Sequence, residues 1–591
     1  MTLIYIAFGL LGGQSLLALL APAAYRYLPL GLGGSGLLLA LAGLPAWLGQ
    51  SSALPLDATA GFYLALLGAL YLGVGFYLRD YLAHHPGPRA RLETLLLPLF
   101  AGSMAGVVLA PLGYSFLFLW EGMALLGYLL IALEGPAALA GSRAFFLASR
   151  VSGAGLFLAL LLLIQGGPRE GLVHLVWAGL VLGFGTKAAL FPLHAWLPKA
   201  HPVAMSPLSA LLSGGMVKLG LYGLYRALDW AGPAPAWVGW LLLGLGLAGA
   251  VYALVLGLAE NDYKGVLAYS SVENLNLLLA ALGGYFLLQH PFFLLAFFFH
   301  QAAHALFKGL LFLGSGALKE RGLSALGGLF PKLPQTAAYS LLAAAVGAGL
   351  PPLAGFLGEW YLYQGFLSVP KGGVVSLLAL GVGVLALVGA LAAALYVRLL
   401  GLAFLGLPRS SQALEVHEVG LYGQVGLGLL ALGLVGLSLF PGALLAPLNP
   451  PLYPVALLAL GLLGLGGGLV YLLQRKPWRS YTPWDCGYNQ PGQPGSALSP
   501  RMQPNALGYS EQLLRLFPFV EVKIEASREG LLHPPTLRWQ GGDWWGTLEA
   551  LFARGYLFLA RQAQRLQSGS LHLYLLLQFL ALLFVLGVSW Q

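Results

Sequence analysis

GFGTKAALFPLHAWLPKAHP, residues 183–202, places Lys187 and Pro192 little more than one helical turn apart within an otherwise apolar stretch. About 20 apolar residues cross a bilayer as a helix. A charge at the centre of such a helix costs about 2.5–3.5 kcal/mol. A proline breaks the hydrogen-bond ladder and leaves carbonyls that lipid cannot satisfy. A chain that keeps both has a use for a charge beside a break.

The composition confirms the setting. Of 591 residues, 58% are hydrophobic and only 9% charged, against roughly a quarter charged in a soluble domain. Lipid is therefore the solvent for most of the chain. The 83 glycines suit close helix packing and the 37 prolines mark helix ends and breaks. A single cysteine, Cys486, rules out an internal disulfide, a haem-attachment pair and a four-cysteine iron–sulfur site. The net charge of +9 is spread over short loops, so it is no nucleic-acid signal. The first apolar stretch has no basic leader or obvious cleavage site and is read as a retained helix.

Apolar length predicts an all-α polytopic membrane protein of about 16 spans. They fall at 3–20, 30–48, 59–78, 95–112, 114–134, 145–165, 172–190, 205–228, 237–258, 264–288, 291–317, 335–367, 375–404, 422–447, 455–473 and 571–589. The stretch 335–367 is too long for one straight span and contains Pro351-Pro352, so it is expected to be a broken helix. Basic residues concentrate in loops after odd-numbered spans: Arg26, Arg79, Arg89, Arg91, Arg143, Lys199, Lys319, Arg321, Lys332, Arg409, Arg475, Lys476 and Arg479. The even loops hold little beyond Arg169, Arg226 and Lys371. Odd loops, and residues 474–570 with them, are expected on the cytoplasmic side and the N-terminus outside. Within 546–568, Arg554, Arg561 and Arg565 oppose Leu548, Leu551, Leu559 and Leu566. That pattern suits an amphipathic helix along the membrane surface, and equally a short soluble helix packed on a loop.

Charges recur in mid-span: Glu121, Lys187, Lys218, Glu273, His300, His304, Lys308 and Glu359. One alone would be read as a structural ion pair or a snorkelling side chain. Repeated along the chain, they mark a polar path through the membrane. His300, His304 and Lys308 stand at i, i+4 and i+8, on one face over roughly 12 Å. An imidazole accepts on one nitrogen while donating from the other, which suits proton transfer. A lysine in lipid keeps its proton while a carboxylate is beside it and releases it when the carboxylate leaves. Glu121 is accordingly expected within salt-bridge or one-water distance of Lys187. Pro192 and Pro351-Pro352, about 160 residues apart, are expected to break helices in two related halves beside hydrated cavities.

WEGMALLGYLLI, GTKAALFPLHAWLPKAHP, SGGMVKLGLYGLYR, AYSSVEN, HALFKGLLFLGSGAL and PPLAGFLGEW occur in this order. Over roughly residues 70–405 the chain resembles the antiporter-like subunits shared by respiratory complex I, Mrp cation/proton antiporters and membrane-bound hydrogenases. AYSSVEN, WDCGY, PRMQ and LQSGSLHLYLL look most like the large membrane subunit of formate hydrogenlyase and hydrogenase-4. The resemblance implies two inverted five-helix repeats, followed by a lateral amphipathic helix and a closing transmembrane helix. It implies residues 1–94 as N-terminal helices, 95–228 and 237–404 as the repeats, 422–473 as additional helices, 474–570 as cytoplasmic loop and lateral helix, and 571–591 as the last span.

Carried over, Glu121 matches the family's essential glutamate, Lys187 its paired lysine and Lys218 the connecting lysine. His304 and Lys308 match the central relay, His300 fits it, and Glu359 matches the distal exit. Two departures stand out: Gly153 lies near the place where the longest complex I subunit has an acidic residue, and Glu359 stands where some members have lysine. The expected function is a proton-translocating, non-redox subunit of an oxidoreductase complex in a prokaryotic inner membrane. A formate hydrogenlyase or hydrogenase-4 type is expected first, with complex I (NADH-quinone oxidoreductase) or a self-standing Mrp-type Na⁺/H⁺ antiporter as alternatives. No cofactor is expected in this chain; iron–sulfur clusters and a NiFe or flavin centre belong to partner subunits. Its partners would be other membrane subunits and a cytoplasmic electron-transfer arm. The intact charges speak against a relic that only anchors other subunits.

Overall fold

The computed structural model describes residues 2–20, 27–49, 56–164, 171–368, 375–450 and 506–517, with a few isolated positions elsewhere. The chain divides into two units, Met1–Trp539 and Gln540–Gln591. The helices described here belong to the first. The expected spans at 455–473 and 571–589 and the amphipathic stretch 546–568 lie outside the described residues.

Among the described residues every long element is an α-helix, and eleven are long and apolar enough to cross a membrane. In chain order α1 is Thr2–Leu20, α2 Pro29–Trp47, α3 Ala58–His84, α4 Pro88–Leu109, α5 Tyr114–Ala132 and α6 Leu139–Ile164. Next come α7 Val173–Lys187, the short α8 Trp196–Ala200, α9 Ser206–Leu211 and α10 Val217–Ala231. The second half holds α11 Ala236–Ala259, α12 Tyr263–Leu288, α13 Pro291–Gly314, α14 Pro334–Gly347, α15 Ala354–Leu367 and α16 Val375–Phe404. Two short helices, α17 Ser411–Leu414 and α19 Pro441–Leu445, flank α18 Leu421–Leu439. A further short helix, Ala506–Leu514, lies within the polar segment 474–570 and packs on α11 and α16.

Glycine sets how near the helices come. A Cβ on Gly36 would lie 2.6 Å from the Gly68 carbonyl, and one on Gly68 would lie 2.5 Å from the Gly36 carbonyl. So α2 and α3 touch backbone to backbone, the contact that drives helix association where lipid is as apolar as leucine. Gly239 and Gly283 repeat the arrangement between α11 and α12. At the centre, α13 is buried along nearly its whole length, against α12, α14, α15, α18, α9 and α3. Among the described long helices, the one carrying His300, His304 and Lys308 thus has the least contact with lipid.

Three features differ from simple spans. The stretch 205–228 is interrupted by a π-helical turn at Leu212–Met216, a form that concentrates at functional sites. The span expected over 422–447 ends at Leu439, and Pro441 opens α19. The long stretch 335–367 is two helices, α14 and α15, separated at the double proline.

The helix breaks share one backbone. After α7, Ala188 N–H donates to Phe184 O, Ala189 N–H to Thr186 O, and Leu190 N–H to Gly185 O. After α14, Ala348, Gly349 and Leu350 donate in the same register to Ala344, Val346 and Ala345. Ala189 and Gly349 both take the left-handed conformation, with φ +56° and +63°. The peptide bonds Phe191–Pro192 and Pro351–Pro352 are both cis.

Candidate functional site

The first cluster forms where α6 lies between α5 and α7. Lys187 is the last residue of α7 and 2% exposed, where the helix dipole favours a cation. Its Nζ donates to Ser149 Oγ at 2.9 Å and lies 4.9 Å from the Phe145 ring centre and 5.8 Å from that of Trp120. Those faces attract a desolvated ammonium. Glu121, on α5, forms its ion pair with Arg150, the residue next to Ser149 on α6. Glu121 and Lys187 make no direct ion pair; each feels the other's charge from either side of α6. Gly153 makes room for the carboxylate, since a Cβ there would overlap Glu121 Oε1. Ser152 joins the same face, donating to Gly183 O at 2.7 Å and accepting from Trp120 Nε1 at 3.2 Å.

The break after α7 is filled by protein. Asn276 of α12 donates from Nδ2 to Ala189 O at 3.0 Å and accepts at Oδ1 from Phe191 N–H at 3.0 Å. Trp196 Nε1 donates to Thr186 O at 3.0 Å. Backbone groups freed by a break in lipid need such partners.

The second cluster is centred on α13. Lys218 follows the π turn and is fully buried; its Nζ donates to Ser213 O at 2.7 Å and makes a close contact with His304 Nδ1. One turn along α13, Lys308 Nζ donates to Leu267 O at 3.1 Å, to Tyr396 Oη at 3.2 Å and, closely, to Ser270 Oγ. One turn the other way, His300 Nε2 meets Asn274 Oδ1 at 2.8 Å. A small cavity of about 10 Å³ lies between His300 and Glu359, room for about one water. The Glu359 carboxylate rests against the second break, where a Cβ on Gly349 would lie 2.8 Å from its Oε2.

Of the residues singled out from sequence, Lys218, His304 and Lys308 stand together, and His300 and Glu359 share a cavity. Glu121 and Lys187 form a separate cluster one helix away: α10 packs on the end of α7 through Gly220, against Phe184 O and Ala188 N. Sequence reasoning missed Arg150, Ser149, Tyr396, Asn276, Lys264 and His201. Arg150 carried a visible signal, a charge inside the apolar stretch 145–165. Ser149, Asn276 and Tyr396 carried none, because a hydroxyl or amide in an apolar helix takes its meaning from its neighbours.

Two adjoining cavities lead inward at the end of α3. One, of about 500 Å³, is lined by Asp80, His84, His85, Lys319, His417 and Glu418 among others. Its neighbour, about 250 Å³, shares Tyr81 and His85 and reaches Ser206, Arg321 and Lys264. The Lys264 Nζ, 3% exposed as a residue, contacts Ala204 O. Beyond it His201 is fully buried, stacked on Phe312 with ring centres 4.5 Å apart. Neither His201 ring nitrogen has a hydrogen-bond partner, and the charges of Lys264, Lys308 and Lys218 all act on it. Among the described residues no group of three or more His, Cys, Asp or Glu side chains is placed to hold a metal ion.

A bundle of membrane helices, interrupted twice by the same backbone device and threaded by buried lysines, histidines and carboxylates, defines an antiporter-like membrane protein. Residues 114–385 match the family described as NADH:quinone oxidoreductase/Mrp antiporter, TM. Hydrogenase-4 component B of Escherichia coli is 30% identical, over 90% of this chain and 88% of its own length. Formate hydrogenlyase subunit 3 of the same organism is 35% identical over 53% of this chain and 57% of its own. The chain has the fold of one in the archaeal membrane-bound sulfane sulfur reductase complex, with a TM-score of 0.74 at 19% identity, covering 99% of this chain and all of that one. The chain belongs to the antiporter-like membrane subunits of the NADH:quinone oxidoreductase/Mrp antiporter family.

Proposed function

We propose that this chain is the proton-translocating membrane subunit of a complex-I-like oxidoreductase of the hydrogenase-4 or formate hydrogenlyase kind. The carrying observation is the buried row Lys218–His304–Lys308 on and against α13, continued by His300 and the cavity it shares with Glu359. Similarity to hydrogenase-4 component B over nearly the whole length favours a hydrogenase-type complex over its relatives. Protons enter through the histidine-lined cavities at the end of α3, pass Lys264 and His201, and load Lys218. From there they move along α13 to Glu359 and leave. The charge states of Glu121 and Lys187 drive the cycle from the neighbouring subunit's side, with Arg150 a fixed counter-charge to Glu121. No redox centre is needed in this chain; iron–sulfur clusters and a nickel–iron or flavin centre sit in partner subunits. Residues 474–570 face the cytoplasm of a prokaryotic inner membrane.

Purification from the native membrane tests this reading. The expected result is a stable assembly with iron–sulfur subunits whose turnover acidifies or alkalinises sealed vesicles, with loss of that signal in Glu121→Gln. A lone chain that exchanges Na⁺ for H⁺ in liposomes without redox partners would overturn it in favour of a self-standing antiporter.

A further inference from the structure

One motif of α12 has no part in the row so far: Glu273 and Asn274, each 1% exposed in the middle of that helix. Asn274 Nδ2 donates to Ser270 O at 2.8 Å and, closely, to Glu273 Oε2. Both are acceptors, so the amide cannot be turned around without setting its oxygen against two oxygens. The face it presents to His300 is therefore the oxygen, 2.8 Å from Nε2. An amide oxygen only accepts. The proton of neutral His300 must then sit on Nε2, and Nδ1 carries the lone pair.

That Nδ1 makes no hydrogen bond of full geometry, and a backbone group of Gly355 acts weakly on the ring. It lies over Gly358, where a Cβ would come 2.5 Å from it, with the Gly355 backbone close by. Gly358 and Glu359 line the same one-water cavity as His300. With Nε2 held by Asn274, the nitrogen left for proton exchange is Nδ1, on the Glu359 side. Glu273 is within electrostatic reach of Lys308 on α13, Glu359 on α15 and Tyr396 on α16. A hydrogen bond to an ionised carboxylate is roughly twice as strong as one to a neutral group.

We propose that Glu273 and Asn274 are a latch across the row, in which ionised Glu273 holds the Asn274 amide and the amide keeps His300 facing Glu359. When Glu273 takes up a proton its hold on the amide weakens, Nε2 is freed, and the proton held on the His304–Lys308 side reaches His300 by way of His304. The latch prevents the input and output halves from conducting at once. Asn274 is a positioning residue, and Glu273 is the proton-holding group that sets it. The idea rests on the proton route proposed above.

The test uses the whole complex in sealed native-lipid vesicles, with assembly checked on native gels. An imposed pH gradient is allowed to decay without turnover, and transport is then driven by turnover. Asn274→Ala and Glu273→Gln are expected to assemble but dissipate the imposed gradient several-fold faster than the unaltered complex, and Glu273→Asp to restore tightness. A purely structural role would lower assembly or thermal stability and leave the decay rate alone; that result overturns the latch. It is also overturned if both variants stay tight and pump within twofold of normal while Lys308→Ala and His300→Ala stop pumping, in which case the route stands. If Lys308→Ala and His300→Ala pump normally, the route itself falls and the latch with it.

Discussion

The two helix breaks share a backbone and differ in what occupies them. Residues 184–192 and 344–352 repeat the same hydrogen bonds, the same left-handed position and the same cis proline. The first break ends in a cation, Lys187, placed where the helix dipole favours it and roofed by aromatic rings. The second lies under a carboxylate, Glu359, from the outgoing helix. The difference explains why the left-handed residue is Ala189 in one and Gly349 in the other. At 349 the space for a methyl group belongs to Glu359; at 189 no carboxylate competes, and alanine bears a left-handed cost of about 1–2 kcal/mol. One device can thus present a base or an acid at mid-membrane depending on a neighbour.

The largest effect is expected from removing the shared middle of the two halves. Lys218→Met should lower turnover-driven proton transport by about 10²-fold or more with the complex assembled, measured by fluorescence quenching in vesicles. Normal transport would mean that the two breaks work separately rather than through α13. Next come the glycines that make room for each glutamate. Gly153→Ala and Gly349→Ala should each displace a carboxylate and reduce transport by roughly tenfold, about 1.4 kcal/mol in the controlling step. A loss only at Gly349 would show that the Glu121 cluster tolerates movement and would sharpen the contrast.

Smaller effects concern how each break is satisfied. Asn276→Ala leaves Ala189 O and Phe191 N–H without their partner and should destabilise the fold by about 1–3 kcal/mol. Ser438 serves the second break with a single bond, accepting from Ala354 N–H at 3.0 Å. Ser438→Ala should therefore cost about 1 kcal/mol, read as a smaller fall in thermal unfolding temperature. Equal costs would contradict the assignment of Asn276 as a two-sided plug. The smallest change is expected at Arg150, whose side chain is 41% exposed. Arg150→Gln should alter transport by no more than about fivefold, the scale of an ion pair of about 1 kcal/mol at an open site.

Most of the architecture is legible in the sequence. Apolar length locates a membrane helix because a bilayer has one thickness, and most expected spans through residue 404 meet helices at nearly the same positions, 205–228 and 335–367 being divided. The breaks at Pro192 and Pro351-Pro352 were legible because proline removes a donor wherever it sits. Intramembrane charge named Glu121, Lys187, Lys218, His300, His304, Lys308 and Glu359, since lipid makes each one conspicuous.

Tertiary structure decided the partners. The i, i+4, i+8 spacing on α13 put His300, His304 and Lys308 on one face. It could not show that Lys218 meets His304 from another helix, or that Asn274 of α12 meets His300. Composition suggested a Glu121–Lys187 pair; packing set α6 between them and gave Glu121 to Arg150 and Lys187 to Ser149. Hydropathy is a property of each residue against its solvent and is therefore written along the chain. A hydrogen bond belongs to two residues from distant segments, and only the close approach of α6, α12 and α13 to their neighbours determines which two meet.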